Sequence, residues 1–277
     1  MLKTIHIRII TLLLSFCAAN PALAQQYMIY SEQCAAGNGE AQRQFRQAQD
    51  HRFGRGVSLN IEFAKSRYNE ALLNGSARAL VDLGTMAEDM LGLYPNNQEY
   101  KQEALKYYTE AAAQGCPEGT YKLYLWDSLE SLQNPELSHD FPHPGLLQAA
   151  EGGAMAAMHD LGNQYLRHGN TEQGEKWLKQ ALELGWGDAA LPYSRLLFER
   201  NQIREGMEAL LSGARLGSIQ CLKRLAWIYS RGRYKQVHDP AHAECLLKVA
   251  DGIKASAPPD PIRHLDQICP PRQIMIY

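Results

Sequence analysis

The stretch ALKYYTEAAAQGCPEG, residues 104–119, contains the pattern that decides the fold. Gly115 ends a helix-like run, and a small residue, Gly119, follows it four positions later. The same pairing recurs at Gly75/Ala79, Gly153/Ala157, Gly185/Ala189 and Gly217/Cys221, with Gly37/Ala41 as a candidate earlier case. The five glycines from Gly75 onward lie 40, 38, 32 and 32 residues apart. A recurrence at that period predicts a solenoid of helical hairpins.

Each repeat has the pattern of two helices that can pack closely. If the small residue is position one, then positions one, five and nine share one face of a first helix. Position five is large and apolar or aromatic in every repeat: Leu83, Leu123, Leu161, Tyr193 and Leu225. A second helix ends at the next glycine. Glycine suits this position because it readily adopts the left-handed conformation that commonly follows a helix. The predicted fold is therefore all-α, a solenoid of about six hairpins.

Three motifs resemble the Sel-like repeat (SLR), a subclass of the tetratricopeptide-type α/α repeats. They are Leu161–Tyr165 (LGNQY), Gly54–Val57 (GRGV) and Ala104–Gly115. The resemblance covers roughly residues 37–254 and is weak around residues 116–153, where Tyr124 and Asp127 replace the glycine and aromatic residue typical of the family. It implies a right-handed superhelix whose first helices line a concave surface that binds other proteins.

Residues 1–24 have the pattern of a secretory signal peptide. Lys3 and Arg8 supply positive charge, Ile9–Ala19 is too short to cross a membrane, and Ala22-Leu23-Ala24 offers a cleavage site. An uncleaved anchor is the alternative. We expect export to a bacterial periplasm and no integral membrane domain.

Cleavage would leave a solenoid domain, residues 25–254, and a proline-rich tail, residues 255–277, that would cap the last hairpin. The 277 residues contain 28 Lys and Arg against 30 Asp and Glu, a formal net charge of −2. This balance argues against a nucleic-acid partner. We expect a monomer, because each hairpin of a solenoid contacts only its neighbours.

Export permits disulfides. Of six cysteines, Cys17 lies in the signal segment, so five would remain and at least one would be free or pair between chains. Cys116 and Cys221 lie near repeat junctions, and we expect both to be buried thiols. Cys245 lies in the last second helix and Cys269 in the tail that should fold over it, which predicts a Cys245–Cys269 disulfide.

The sequence lacks Gly-x-Ser-x-Gly, Ser-x-x-Lys, His-Glu-x-x-His and a phosphate loop. Two histidine pairs, His139/His143 and His238/His242, offer too few ligands for a metal site. We interpret the first pair as part of a polar loop and the second as part of a helix cap. We therefore predict no catalytic site, no metal and no cofactor.

Positions three, seven, ten and eleven of the first helices should lie on the concave surface of the solenoid. Several of these positions are large and apolar or are arginines, the usual composition of interface hot spots. The predicted partner-binding residues are Tyr121, Leu125, Arg167, Leu191, Arg195, Phe198, Trp227 and Arg231. The alternative is that some of them pack on the loop at residues 133–144 or on the tail. Charge also divides along the array, with Asp82, Glu88 and Asp89 at one end and Lys223, Arg224 and Arg231 at the other.

These features predict a protein that binds a protein partner. The SLR resemblance implies a narrower role, because exported SLR proteins include immunity proteins that neutralise type VI-secreted toxins, phospholipases among them, by occluding the active site. The competing interpretations are an envelope scaffold or signalling regulator and a secreted protein that binds host proteins. An enzyme similar to the β-lactam hydrolases linked to some SLR proteins ranks last, because Ser-x-x-Lys is absent.

Overall fold

The computed structural model describes residues 30–133, 141–234, 236, 238–253, 262 and 264–270, with only the backbone at 130–133. The predicted signal peptide lies outside the described residues, as do most of the proline loop and much of the tail. Among the described residues, no helix combines the length and the apolar character that a membrane span needs.

Six helical hairpins follow one another along the described chain. In order they are α1 (Gly39–Phe53) with α2 (Ile61–Leu73), α3 (Ala77–Leu93) with α4 (Gln98–Ala113), α5 (Pro117–Gln133) with α6 (Pro144–Glu151), α7 (Met155–Arg167) with α8 (Thr171–Glu183), α9 (Ala190–Glu199) with α10 (Ile203–Arg215), and α11 (Ile219–Arg231) with α12 (Pro240–Gly252). A 3-10 turn (Gly187–Ala189) precedes α9, and a short helix, α13 (Leu265–Ile268), follows α12. The described residues form no strand beyond one isolated bridge, Ala36 to Ser76. The prediction of an all-α repeat solenoid is confirmed.

The repeating glycines end the second helices, as the sequence predicts. Gly75, Gly115, Gly153, Gly185 and Gly217 have φ values of 91°, 77°, 99°, 108° and 85°. Residues with a Cβ avoid this left-handed region, so glycine stops each helix and turns the chain into the next repeat.

Close approach of the two helices within a hairpin depends on a small residue at position six. A Cβ added to Gly84 would lie 2.4 Å from the Tyr108 ring, and one added to Gly162 would lie 2.8 Å from Leu178. The third repeat has Tyr124 at this position, and its second helix, α6, is only 8 residues long. The weak match around residues 116–153 therefore corresponds to the most irregular hairpin.

Within the described residues, the core consists of three apolar clusters along the array. The first surrounds Tyr68, Leu83 and Tyr108, and the next surrounds Leu161 and Leu178. The last surrounds Leu210, Leu225 and Leu246. Each cluster is built from neighbouring hairpins, as expected for a solenoid.

Residues 30–37, which we call the N-terminal strap, run across the N-terminal ends of several first helices. Ala36 bridges to Ser76 before α3, Cys34 forms a disulfide with Cys116 before α5, and Ser31 donates its backbone N–H to Glu118 Oε1 at 2.5 Å. The expectation that Cys116 is a free buried thiol is therefore wrong, because the strap carries Cys34 to it. Burial raises the pKa of Glu118, and the Ser31 hydrogen bonds oppose that shift.

The described part of the tail packs on the last two hairpins. Cys245 of α12 is joined to Cys269 by a disulfide, and this is the pair that the sequence predicts. The Leu265 side chain is buried, and Arg215 of α10 forms an ion pair with Asp266 at 2.6 Å. Cys221 is a free buried thiol, as expected, and burial raises its pKa to about 12, so it is not a reactive thiolate.

Candidate partner-binding face

The first helices α5, α7 and α9 border a cavity of about 690 Å³, which we call the α7/α9 groove. Its lining residues are Tyr124, Asp160, Asn163, Gln164, Leu166, Arg167, Thr171, Pro192, Arg195, Leu196 and Glu199. Two predicted binding residues, Arg167 and Arg195, are among them. The structure thus places these two arginines, from consecutive first helices, around one opening.

Hydrogen bonds within the fold hold the tyrosine, aspartate and glutamine side chains around the α7/α9 groove, whereas its two arginines are exposed to solvent. Asp160 accepts a hydrogen bond from the Tyr121 hydroxyl at 2.6 Å, and Gln164 donates to the Tyr124 hydroxyl at 2.7 Å. Arg167 and Arg195 are exposed, and within the described residues neither guanidinium forms an ion pair. These two cations are therefore available to carboxylates of another molecule.

Several predicted binding residues are also engaged within the fold. Tyr121 is half-buried, and burial together with Asp160 raises the pKa of its hydroxyl. Phe198 stacks on Tyr234 with ring centroids 4.1 Å apart and lies against Gly206, where an added Cβ would come within 2.5 Å of the ring. Leu191 packs against the last apolar cluster, and Leu125 is half-buried. Much of this apolar surface is therefore used for packing within the fold, which was the alternative to partner binding. Phe198 packs on the segment after α11, however, and not on the loop at residues 133–144 or the tail, as that alternative expected.

Trp227 is different, because its side chain stays accessible. Its relative exposure is 40%, and among the twelve large apolar side chains of the described chain that face solvent it is the one tryptophan. The guanidinium carbons of Arg224 and Arg233 lie 4.5 and 5.9 Å from its ring centroid, within the range of cation–π attraction. Arg224 also donates a hydrogen bond to the Tyr234 hydroxyl at 3.3 Å.

Lys223, Trp227 and Arg231 are four residues apart on α11 and so share one face of the helix. Lys223 and Arg231 are exposed, and within the part of the chain that is described neither is ion-paired. Lys223, Arg224, Trp227, Arg231 and Arg233 are called the Trp227 surface below. Arg233 and Tyr234 were missed by the sequence analysis, since they follow Gly232 outside the helical pattern.

The acidic side chains at the other end of the array are engaged in ion pairs within the fold. Asp82 is buried and accepts hydrogen bonds from Arg52 Nη1 and the Tyr30 hydroxyl, each at 2.8 Å. Burial raises the pKa of its carboxyl group, and the charge of Arg52 opposes that shift. Arg52 Nη2 also bonds Asp89 at 2.9 Å. Glu88 accepts from the Lys122 ammonium and the Trp126 indole, each at 2.7 Å. The predicted division of charge is therefore only partly present at the surface, because Asp82 is buried and Glu88 is paired with Lys122, whereas the Asp89 side chain stays 65% exposed.

One histidine of each pair has a structural role, whereas His238 is exposed and the cap of α12 is Asp239. His143 caps α6, because its Nδ1 accepts from Gly145 N at 3.1 Å, while His139 lies outside the described residues. His242 is buried against Tyr229, with ring centroids 4.4 Å apart, and burial lowers its pKa. One possible metal-ligand group exists in the described chain, Cys34, Cys116 and Glu118, but its cysteines form a disulfide and so offer no thiolates.

No protein-family model and no curated protein sequence matches this chain. Solved structures do resemble it. A Sel1 repeat protein from Oxalobacter formigenes superposes with a TM-score of 0.52 at 23% identity, over 79% of this chain and 87% of that one. The chain thus has the fold of the SLR proteins, the family that its motifs resemble.

Two immunity proteins from Pseudomonas aeruginosa share this fold. PA5088 superposes with a TM-score of 0.59 at 19% identity, covering 84% of this chain and 83% of its own. Pa5087 superposes with a TM-score of 0.61 at 15% identity, covering 84% of this chain and 89% of its own. At these identities the likeness establishes the architecture.

Proposed function

We propose that this chain is an exported immunity protein that binds a type VI-secreted toxin, such as a phospholipase, through the face formed by its first helices. The observation that carries the proposal is a set of exposed cations on this face that form no ion pair within the described residues. Arg167, Arg195 and Arg231 are open, whereas the carboxylates of Asp82 and Asp89 are paired with Arg52. The shared fold of the Pseudomonas immunity proteins supports the same role.

The mechanism is occlusion of the toxin's active site and not catalysis. An inhibitor that covers an active site needs a surface that complements its entrance in shape and charge, and it needs no reactive groups of its own. The Cys34–Cys116 and Cys245–Cys269 disulfides fix the strap and the tail, and disulfides persist in an oxidising compartment such as the periplasm. The signal-peptide pattern at residues 1–24 supports that location.

A protection assay tests the proposal. The chain is co-expressed with the toxin whose gene adjoins its own, and bacterial survival is measured when the toxin is directed to the periplasm. We expect full protection by the complete chain and none by a version that lacks residues 1–24. Arg195→Glu should abolish protection, whereas Arg204→Glu should preserve it, because Arg204 lies on the second helix α10 with a side chain that is 81% exposed.

Two results would contradict the proposal. Full protection by a folded Arg195→Glu protein would place the interface away from the groove. Absence of any toxin gene beside this gene, combined with a stable envelope partner in crosslinking experiments, would favour the scaffold or regulator interpretation.

A further inference from the structure

The Trp227 surface concentrates positive charge on a short stretch of the chain. Residues 223–233, KRLAWIYSRGR, contain four basic residues and no acidic residue. The basic side chains of Lys223 and Arg231 lie on either side of the indole, one helical turn away in each direction. The 223–231 span is about 12 Å long at the helical rise per residue. Such a patch matches a compact carboxylate-bearing surface.

The indole of Trp227 is held in place before any partner arrives. Arg224 lies over the ring at 4.5 Å and is itself tied to the Tyr234 hydroxyl. Tyr234 is fixed in turn by its stack on Phe198, with an angle of 10° between the rings. Three consecutive contacts therefore connect the exposed indole to helix α9, which reduces the conformational entropy that binding would cost.

We infer that the Trp227 surface docks an acidic segment of the protein partner, with Asp or Glu carboxylates bound by Lys223 and Arg231 and an apolar side chain packed on the indole. This inference rests on the proposed function and specifies the chemistry of the partner. A fixed aromatic ring among arginines is the composition of an interface hot spot. The flanking cations would orient an acidic surface during approach and speed association.

A protein segment fits this surface better than a nucleic acid does. The patch spans little more than two helical turns, whereas nucleic-acid binding uses many phosphate contacts along an extended basic stripe. The net charge of −2 over the complete chain also disfavours long polyanions that would extend beyond the patch. The aromatic contact further favours a partner that presents an apolar side chain between its carboxylates.

The probe is a fluorescently labelled random copolymer of glutamate and tyrosine, titrated with the purified mature protein and followed by anisotropy. A lysine–tyrosine copolymer controls for charge, and single-stranded DNA and anionic phospholipid vesicles represent the other polyanions. We expect the glutamate copolymer alone to bind tightly, with affinity that falls as salt rises. Trp227→Ala should weaken binding about thirtyfold, the change that corresponds to a hot spot of 2 kcal/mol.

Matched variants separate docking from folding. The double variant Lys223→Glu/Arg231→Glu should abolish binding, Trp227→Phe should retain most of it, and Arg204→Glu should change nothing. Circular dichroism melts establish that each variant is folded. The inference is overturned if the native protein ignores the copolymer, if the double variant binds it normally, or if DNA or vesicles bind more tightly through the same residues.

The two proposals can fail separately. If the double variant still protects cells while Arg195→Glu does not, the immunity function stands and the Trp227 surface is not the docking site. If the copolymer binds through the Trp227 surface but the neighbouring toxin is not neutralised, the surface stands and the immunity function fails.

Discussion

The two disulfides should stabilise the fold unequally, because they close chain segments of different length. Cys34 and Cys116 are 82 residues apart, whereas Cys245 and Cys269 are 24 residues apart. In the chain-entropy description, a crosslink stabilises by restricting the unfolded chain, and its effect grows with the logarithm of the loop length. The formula gives about 4.5 kcal/mol for the longer loop and about 3.5 kcal/mol for the shorter one at 25 °C.

The structure adds a second reason for the difference. Loss of Cys34–Cys116 also loosens the strap at Ser31, which satisfies the buried carboxylate of Glu118, although the Tyr30–Asp82 hydrogen bond and the Ala36–Ser76 bridge still hold the strap. A buried carboxylate that loses its donors costs a further 1–3 kcal/mol, by order of magnitude. By contrast, the segment closed by the shorter disulfide stays attached through the Arg215–Asp266 ion pair, which is half-exposed and worth about 1 kcal/mol or less.

The measurement compares two double variants, Cys34→Ala/Cys116→Ala and Cys245→Ala/Cys269→Ala, by urea unfolding followed by circular dichroism. We expect the first variant to lose at least 1 kcal/mol more unfolding free energy than the second. Peptide mapping without reductant should show both disulfides in the parent protein. Equal destabilisation, or a larger loss for the Cys245/Cys269 variant, would refute the reasoning from loop length and strap contacts.

Three further predictions concern single side chains. Trp227→Ala should cost clearly less than the roughly 3–5 kcal/mol lost when a buried aromatic is truncated, because the indole is 40% exposed and lies outside the last apolar cluster, and a loss of that full size in a thermal melt would contradict this. Gly84→Ala should cost about 1–3 kcal/mol in urea unfolding, since the new methyl would overlap the Tyr108 ring, and an unchanged midpoint would refute the close packing. Burial lowers the pKa of His242 below its usual value of 6.5, so the unfolded state binds more protons than the folded state as the pH falls. Stability should therefore fall on acidification. His242→Gln should reduce that fall in unfolding curves recorded between pH 7 and pH 5.

The sequence predicted the hairpins well because each one is encoded locally. The glycine at the end of a second helix and the small residue four positions later recur regardless of what lies elsewhere in the fold. The Cys245–Cys269 pair could be proposed for the same reason, since both residues belong to one hairpin and its cap. The third repeat was also recognisable as a weak match from Tyr124 and Asp127.

Contacts between distant repeats could not be predicted in this way. The period fixes where a hairpin starts, but it does not say that the strap crosses three repeats and brings Cys34 to Cys116. The same limit explains the acidic end, where Arg52 of α1 pairs with Asp82 of α3. Within the candidate site, helical spacing assigned Phe198 and Trp227 to one surface, yet only the structure shows that Tyr234 covers the first and leaves the second open.

The disulfides also determine which part of the solenoid can bend. Each end of the array carries a covalent staple, and the intervening residues 117–244 carry none, since Cys221 is a free thiol. In a stack of hairpins without crosslinks, only noncovalent packing holds neighbouring hairpins together, so the angle between them can change slightly at every interface. The α7/α9 groove lies in this uncrosslinked part of the solenoid. The distance between Arg167 and Arg195 therefore depends on the packing of two neighbouring hairpins and can change with it.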